Sequence, residues 1–222
     1  MEKIWLKQYP AGVPAEIKTD VYPSLVALLD DSFRQYRDRP AYKFMGKSIS
    51  FGQVDDLSRA FAAWLQGQGL ERGDRVAVMM PNVPQYPVAV AGILRAGMVV
   101  VNVNPLYTPR ELEHQLKDSG AKAIVILENF AATLQQVADL VPTKKVIVAA
   151  MGDMLGFLKG TLVNHVVRNV KKMVPAWRLP QALRFNDALS AGRRMTLKPA
   201  AVGADDIAVL QYTGGTTGVS KG

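Results

Sequence analysis

"GDRVAVMMPNVPQYPVAVAGILRAGMVVVNVNPLYTPRELEHQLKDSGAKAIVIL" runs from Gly73 to Leu127 and decides the fold class. Three short apolar runs lie inside it: "RVAVMM", "MVVVNV" and "KAIVIL". Each carries apolar side chains at successive positions, so both faces of the strand must be buried. Two helical patterns separate the runs. "PQYPVAVAGILRAG" has Pro84 and Pro87 early and Gly97 at its end. "TPRELEHQLKDSG" has Thr108 as a cap, Pro109 in the first turn, Glu111 closing a capping box and Gly120 as the stop. Apolar strands alternating with helices predict an α/β fold whose parallel sheet is covered on both faces.

The rhythm continues downstream. "NFAATLQQVADL" predicts a helix and "KKVIVAA" a strand. "LPQALRFNDALSAGRR" reads as a connector with one short helix, and "DDIAVLQY" (Asp205 to Tyr212) as a final buried strand. Upstream, residues 1–22 show no clear period and read as an irregular arm, leaving 23–222 as the folded unit. From Pro23 to Asp38, the positions Leu25, Leu28, Leu29, Phe33 and Tyr36 have helical spacing. "AYKFMGKSISF" predicts a hairpin turning at Gly46-Lys47. Ser50 and Gln53 form a capping box for a helix with Val54, Leu57, Phe61 and Leu65 on its apolar stripe and Gly69 as its stop.

Composition narrows the function classes. A chain of 222 residues, 49% apolar, can bury a core as one domain or two small ones. It contains no cysteine, which excludes disulfides, thiolate metal sites and cysteine nucleophiles and fits a reducing cytoplasm. "MEKIWLKQYP" lacks the apolar core of a signal peptide. The longest apolar stretch, Pro87 to Val103, is interrupted by Arg95 and two glycines and reads as a buried helix and strand rather than a membrane span. Lys plus Arg is 27 against 19 for Asp plus Glu, a net charge of +8. That balance favours nucleotides or acidic lipid surfaces, and no nucleic-acid motif is present.

The chain's last eleven residues are "YTGGTTGVSKG", Tyr212 to Gly222. A glycine-rich loop leaving a strand of an α/β sheet is where phosphates bind. Gly214, Gly215 and Gly218 let backbone N–H groups converge on an anion without a Cβ in the way. Thr213, Thr216 and Thr217 add hydroxyls, and Lys221 adds a full charge. The motif is neither a Walker A loop, which needs Gly-Lys-Ser/Thr, nor the Gly-x-Gly-x-x-Gly dinucleotide fingerprint.

The loop resembles the phosphate loop of the adenylate-forming enzymes, which include acyl-CoA synthetases, luciferases and peptide-synthetase adenylation domains. "GDRVAVMMPN" and Gly92 to Val125 resemble upstream blocks of the same family, and "VNVNPLYTPRELEHQL" resembles its bacterial long-chain fatty-acid–CoA ligases. The resemblance implies a distorted Rossmann-like N-terminal subdomain and a reaction that joins a long-chain fatty acid to coenzyme A through an acyl-adenylate, using ATP and Mg2+. It further implies that Thr213, Gly214, Gly215, Thr216, Thr217, Gly218, Val219, Ser220 and Lys221 hold the ATP phosphates, with Thr213 helping to place the magnesium ion. Ser220 stands where the family usually has proline, which leaves the loop more flexible. The family continues for several hundred residues past this loop, so the resemblance implies an N-terminal piece cut within it, with no catalytic residue of its own and no complete activity. It also implies a cytoplasmic enzyme, peripheral on the inner membrane, with a homodimeric parent. The rival readings are another acyl- or aryl-acid ligase, a phosphoryl-transfer NTPase, and a basic membrane-docking module without catalysis.

Other residues have plainer readings. His114 and His165 are expected on solvated helix faces. The adjacent carboxylates Asp30-Asp31, Asp55-Asp56 and Asp205-Asp206 point apart along the backbone and are expected on the surface. From Gly160 to Arg178 an amphipathic helix is expected. Leu162, Val163, Val166, Val167, Val170, Met173 and Val174 share one face; Asn164, His165, Arg168, Asn169, Lys171 and Lys172 share the other. Its apolar face has two open readings: it lies on the sheet, or it lies on an anionic bilayer with the basic residues, Arg168, Lys171 and Lys172 among them, at the headgroups.

Overall fold

The computed structural model describes residues 2–213 of the chain. After a 3-10 turn at Ile4–Gln8, helix α1 (Leu25–Gln35) precedes an antiparallel hairpin of β1 (Pro40–Phe44) and β2 (Lys47–Ser50). The elements α2 (Phe51–Gln66), β3 (Arg75–Met79), α3 (Gln85–Arg95), β4 (Val99–Asn102), α4 (Pro109–Ser119) and β5 (Ala123–Leu127) follow. The remainder is α5 (Ala131–Gln135), β6 (Lys145–Ala149), α6 (Phe157–His165), β7 (Ala182–Arg184), α7 (Phe185–Gly192) and β8 (Val209–Gln211). Strands β3 to β8 form one parallel sheet in the order β7-β6-β5-β3-β4-β8. The α/β fold expected from Gly73 to Leu127 is therefore present.

The strands are buried because their side chains alternate between two helical layers. Val76, Val78, Val100, Val125 and Ile147 join a core with Phe61, Ile93 and Phe185 from α2, α3 and α7. Ala77, Met79, Val101, Ile124 and Val148 join a second core with Leu112, Leu116 and Leu134 from α4 and α5. Burying one such side chain contributes about 1.5–3 kcal/mol. On the first face the helices touch closely. A Cβ at Gly92 would stand 2.8 Å from Phe61, and one at Gly192 1.9 Å from the Ala60 carbonyl. These two glycines therefore admit no side chain.

Local signals place the helix ends. Ser50 and Gln53 make the expected capping box, as do Thr108 and Glu111. The Thr108 hydroxyl and amide both donate to Glu111, which holds that carboxyl below its usual range. Gly120 ends α4 in the left-handed region at φ 61°. Helix α2 ends earlier than expected, at Gln66, while Gly69 (φ 76°) closes the turn beyond it.

Several expectations change. The hairpin turns at Met45-Gly46, both with positive φ, so the turn lies one residue before Gly46-Lys47. The predicted helix at Asn129 to Leu140 is a 3-10 turn and the short α5. Ala182–Arg184, read as connector, is a strand that extends the β6 edge. The last strand is short and lies at the open edge: Val209 and Gln211 are exposed and Leu210 is half-buried, so β8 is not the buried strand expected. The Gly160–Arg178 helix starts at Phe157 and passes into one π-helical turn, Val166–Val170. It stops at Lys172, which takes φ 50°, with the Lys171 and Met173 amides donating to Val166 and Val167 carbonyls at 2.7 and 2.9 Å.

Two of the adjacent carboxylate pairs are not mere surface charge. Arg95 on α3 is buried, and its guanidinium pairs with Asp55 at 2.7 Å and with Asp30. It also donates to the Asp55 carbonyl at 3.1 Å and the Ser58 hydroxyl at 3.0 Å, and lies over the Phe33 ring. Arg59 binds Asp55 at 2.9 Å from the solvent side. One buried cation thus joins α1, α2 and α3, and its hydrogen bonds offset the desolvation of the ions. In the third pair, Asp206 binds Arg72 at 2.6 Å; the Gly203 amide, then Arg72, hold its carboxyl below the usual range. Arg95→Leu leaves Asp55 buried without its main partner, with an expected loss of about 3–5 kcal/mol in chemical denaturation. Arg59→Ala, at a half-exposed position, is expected to cost less than about 1 kcal/mol in the same assay.

Candidate functional site at the carboxyl edge of the sheet

A parallel sheet directs all its carboxyl ends to one edge, where α/β proteins bind ligands. Here that edge carries Met79, Asn102, Leu127, Ala149, Arg184 and Gln211 as the last strand residues. Thr213 lies one residue beyond β8, after Tyr212, and is exposed. Gly214, Gly215, Thr216, Thr217, Gly218, Val219, Ser220 and Lys221, assigned to the loop from the sequence, lie outside the described residues.

Side chains from three elements hold the strand that leads to Thr213. The Tyr86 hydroxyl on α3 donates to Asn102 Oδ1 at 2.8 Å, and Asn102 Nδ2 donates to Gln211 Oε1 at 2.8 Å. Gln115 Nε2 on α4 donates to the Asn102 carbonyl at 2.7 Å. Gln115 Oε1 is buried with no hydrogen-bond donor among the described residues. Tyr212, buried against α4, donates its hydroxyl to Asp118 Oδ2 at 2.5 Å. Burial, and then the Asp118 carboxylate, push the Tyr212 phenol up to about 12. The start of the loop is therefore fixed by a buried phenol and a chain of amides.

None of Tyr86, Asn102, Gln115, Asp118 or Gln211 was a candidate from the sequence. Two signals were present. Asn102 is the lone polar residue in "MVVVNV", and Gln115 sits at helical spacing with Leu112, Leu116 and Ser119, all buried. A polar side chain on a buried face needs a partner, and here that partner is the end of a strand.

A second polar cluster occupies the switch point, where the chain steps from β3 to β4 on one side and then fills β5, β6 and β7 on the other. Glu128, just past β5, is buried and binds Arg168 through two bonds of 2.8 Å, and Arg184 at 3.1 Å. Arg168 therefore faces inward, which corrects its placement among headgroup-binding residues. Burial raises the Asp153 carboxyl nearby, against the opposing bond from the Ala150 amide. Gln85 reaches the Ala150 carbonyl at 2.7 Å. With these side chains filling the switch point, Thr213 stands two strands away, beyond β4.

The remaining residues of the amphipathic segment divide unexpectedly. Val167 is buried, and Val163 and Val166 are half-buried. Asn164 also turns inward, accepting from the Gly152 amide at 2.7 Å, where Gly160 and Gly152 touch backbone to backbone. Phe157 (86% exposed), Leu158 (81%), Leu162, Val170 and Met173 face outward. Lys171 and Lys172 are exposed past the π turn. His114 is half-buried rather than solvated, and His165 is exposed beside Asn169. Among the described residues no helix is long and apolar enough to cross a membrane.

The Tyr212 phenol prefers its protonated form in the fold, so its stabilising effect is whole below about pH 10 and lost as pH rises toward 12. An absorbance titration of tyrosinate, differenced against Tyr212→Phe, is expected to show one group with its midpoint near 12. Asp118→Asn is expected to move that midpoint part of the way back toward 10.0.

A family profile described as "AMP-binding enzyme" matches residues 29–222. The long-chain-fatty-acid–CoA ligase of Salmonella typhimurium is 57% identical over 223 residues, covering 100% of this chain and 40% of the relative. That of Escherichia coli O157:H7 is 58% identical over 224 residues, with the same coverage. The chain thus spans about two-fifths of the length of the curated relatives it matches. Among solved structures, an anthranilate CoA ligase in complex with anthranoyl-AMP superposes with a TM-score of 0.71 at 21% identity, over 90% of this chain and 34% of that one. At that identity the likeness shows the fold alone. The profile spans α2 through β8 and the residues beyond, and the chain belongs to the AMP-binding enzyme family.

Proposed function

We propose that the chain supplies the phosphate-holding part of a long-chain fatty-acid–CoA ligase. The observation that carries this reading is 57–58% identity, over the whole chain, to bacterial enzymes of that name. In the proposed reaction a fatty-acid carboxylate attacks the α-phosphorus of ATP and the bond to pyrophosphate breaks. The coenzyme A thiol then attacks the acyl carbon of the adenylate and AMP leaves. The loop from Thr213 to Lys221 holds the ATP phosphates, and its amides, hydroxyls and Lys221 steady charge on the departing pyrophosphate.

Thr213 offers an exposed hydroxyl at the sheet edge, and Asp118 nearby is already engaged by Tyr212. Among the described residues there is no group of three or more His, Cys, Asp or Glu side chains able to hold a metal. One hydroxyl suits Mg2+, which binds through phosphate oxygens and water with few protein ligands. The ion would neutralise phosphate charge there, with Thr213 orienting it. The adenine, fatty-acid and coenzyme A contacts then belong to sequence that the relatives have outside the matched two-fifths, and the 222-residue chain alone does not complete the reaction.

A second reading concerns location. Phe157, Leu158 and Leu162 are apolar and exposed, with Lys159 among them and Lys171 and Lys172 beyond the helix end. An apolar surface with lysines on the same segment suits an anionic bilayer, and we infer peripheral attachment at the cytoplasmic face of the inner membrane through this surface. The residues involved differ from the valine stripe, since Val167 is buried and Arg168 is held by Glu128.

Fatty-acid-dependent ATP–pyrophosphate exchange tests the first reading. A protein extended to the length of the relatives is expected to exchange, and the 222-residue chain is not; exchange by the short chain sinks the assignment of roles. In the extended protein Lys221→Ala is expected to lower exchange about a hundredfold. Flotation with anionic liposomes tests the second reading. Leu158→Asp with Leu162→Asp is expected to abolish flotation while leaving the circular dichroism unchanged, and undiminished flotation removes this surface from consideration.

A further inference from the structure

Strand β8 by itself is a weak support for the residues that follow it. It has three residues and, among the described strands, pairs with β4 alone. The pairs are Val100 with Val209, Val101 with Leu210 and Asn102 with Gln211. Val209 and Gln211 are exposed. A short edge strand with few buried contacts opens readily at its ends. The end in question is Gln211, which stands two residues before Thr213.

The side chain of Asn102 ties that end to the core. Both ends of its amide are used at once. Oδ1 accepts from the Tyr86 hydroxyl at 2.8 Å, and Nδ2 donates to Gln211 Oε1 at 2.8 Å. Asn102 and Gln211 are register partners, so the second bond crosses the same gap as the backbone ladder. Tyr86 belongs to α3, where Val88, Ala89 and Ile93 are inaccessible and Arg95 is buried against Asp55. The bridge therefore refers the end of β8 to a helix that cannot shift without disturbing the first core. The Asn102 carbonyl is held separately by Gln115 at 2.7 Å, so replacing the Asn102 side chain leaves that contact in place.

We propose that Asn102 is a positioning residue for the phosphate-holding loop: by bridging Tyr86 to Gln211 it sets where the Thr213 hydroxyl stands. A donor lowers a barrier only when it is already aligned with the developing charge. Loosening the end of β8 costs that alignment and leaves contacts to the acid unchanged. The consequence for catalysis rests on the ligase reading above, while the bridge itself does not.

Asn102→Leu, Gln211→Leu and the double variant are made in a protein extended to the length of the relatives. Leucine makes neither bond. In fatty-acid-dependent ATP–pyrophosphate exchange each single variant is expected to lower kcat about three- to tenfold, the factor carried by one hydrogen bond. KM for the fatty acid is expected to stay at the parental value, and Tm within about 3 °C of it. The double variant is expected to be no slower than either single one, because both substitutions remove the same bridge. Parental kcat in the single variants overturns the proposal, as do losses that multiply in the double variant. So does a loss of kcat accompanied by a raised KM for the fatty acid. If Asn102→Leu does not fold, Gln211→Leu, at an exposed position, decides by the same readings. Hydrogen–deuterium exchange on the 222-residue chain tests the bridge without chemistry. Either substitution is expected to speed exchange of the β8 amides about three- to tenfold and leave those of β5 and β6 as they were. Unchanged β8 amides overturn the proposal. An extended parent that shows no pyrophosphate exchange removes the ligase reading, and the β8 amides then decide whether Asn102 holds the strand end. An active parent with indifferent variants removes the role of Asn102 alone.

Discussion

A parallel strand cannot be joined to its neighbour by a tight turn, and that constraint organises this molecule. Each crossover must lay a helix on a face of the sheet, so both faces are covered and the strands become apolar throughout. Val76 and Val78 face one core while Ala77 and Met79 face the other, all essentially inaccessible. The same constraint sends every strand's carboxyl end to one edge. In α/β proteins ligands bind at that edge because backbone amides and loop residues are presented together there.

Two buried ionic clusters stabilise this arrangement differently from the apolar cores. Arg95 ties α1 and α2 to α3, the helix that also supplies Tyr86 to the edge. Glu128 ties the π turn after α6 and the edge strand β7 to the end of β5. In both cases the charge meets several partners, although Arg95 Nε is buried without a hydrogen bond among the described residues, and those partners let the ion be tolerated inside. The second cluster has a further effect. Glu128 holds Arg168 inward and the Gly152 amide holds Asn164 inward, two residues expected on the polar face, while Phe157, Leu158 and Leu162 are exposed.

The position of Thr213 follows from the sheet order. Strand β8 pairs with β4, so the loop begins on the outer side of β4, while the switch point between β3 and β5 is filled by Glu128 and Gln85. The contacts of Tyr212 with Asp118, and of Gln211 with Asn102, give the loop a fixed origin although β8 itself is short and exposed on one side.

Much of this was legible in the residues themselves. The apolar strands β3 to β6, the capping boxes at Ser50 and Thr108, and the stop at Gly120 are set by local sterics and by short-range hydrogen bonds within a few residues. Those depend on neighbours in the chain, and a sequence carries its neighbours. The edge strands were legible only in part: β8 was expected as a strand but as a buried one, and β7 was read as connector. Strand β7 exists only because β6 offers it a partner, and β8 is exposed because of where the sheet order puts it. Nor were the partners of long-range polar groups: Asp55 reads as surface until Arg95 is brought to it across 40 positions, and Arg168 reads as solvated until Glu128 lies beneath it. The sequence alone determined the class of fold and the capped helix starts at Ser50 and Thr108. The tertiary structure decided which charges are buried, which face of α6 meets solvent and which side chains hold the loop's origin, because each of those depends on contacts between residues far apart in the chain.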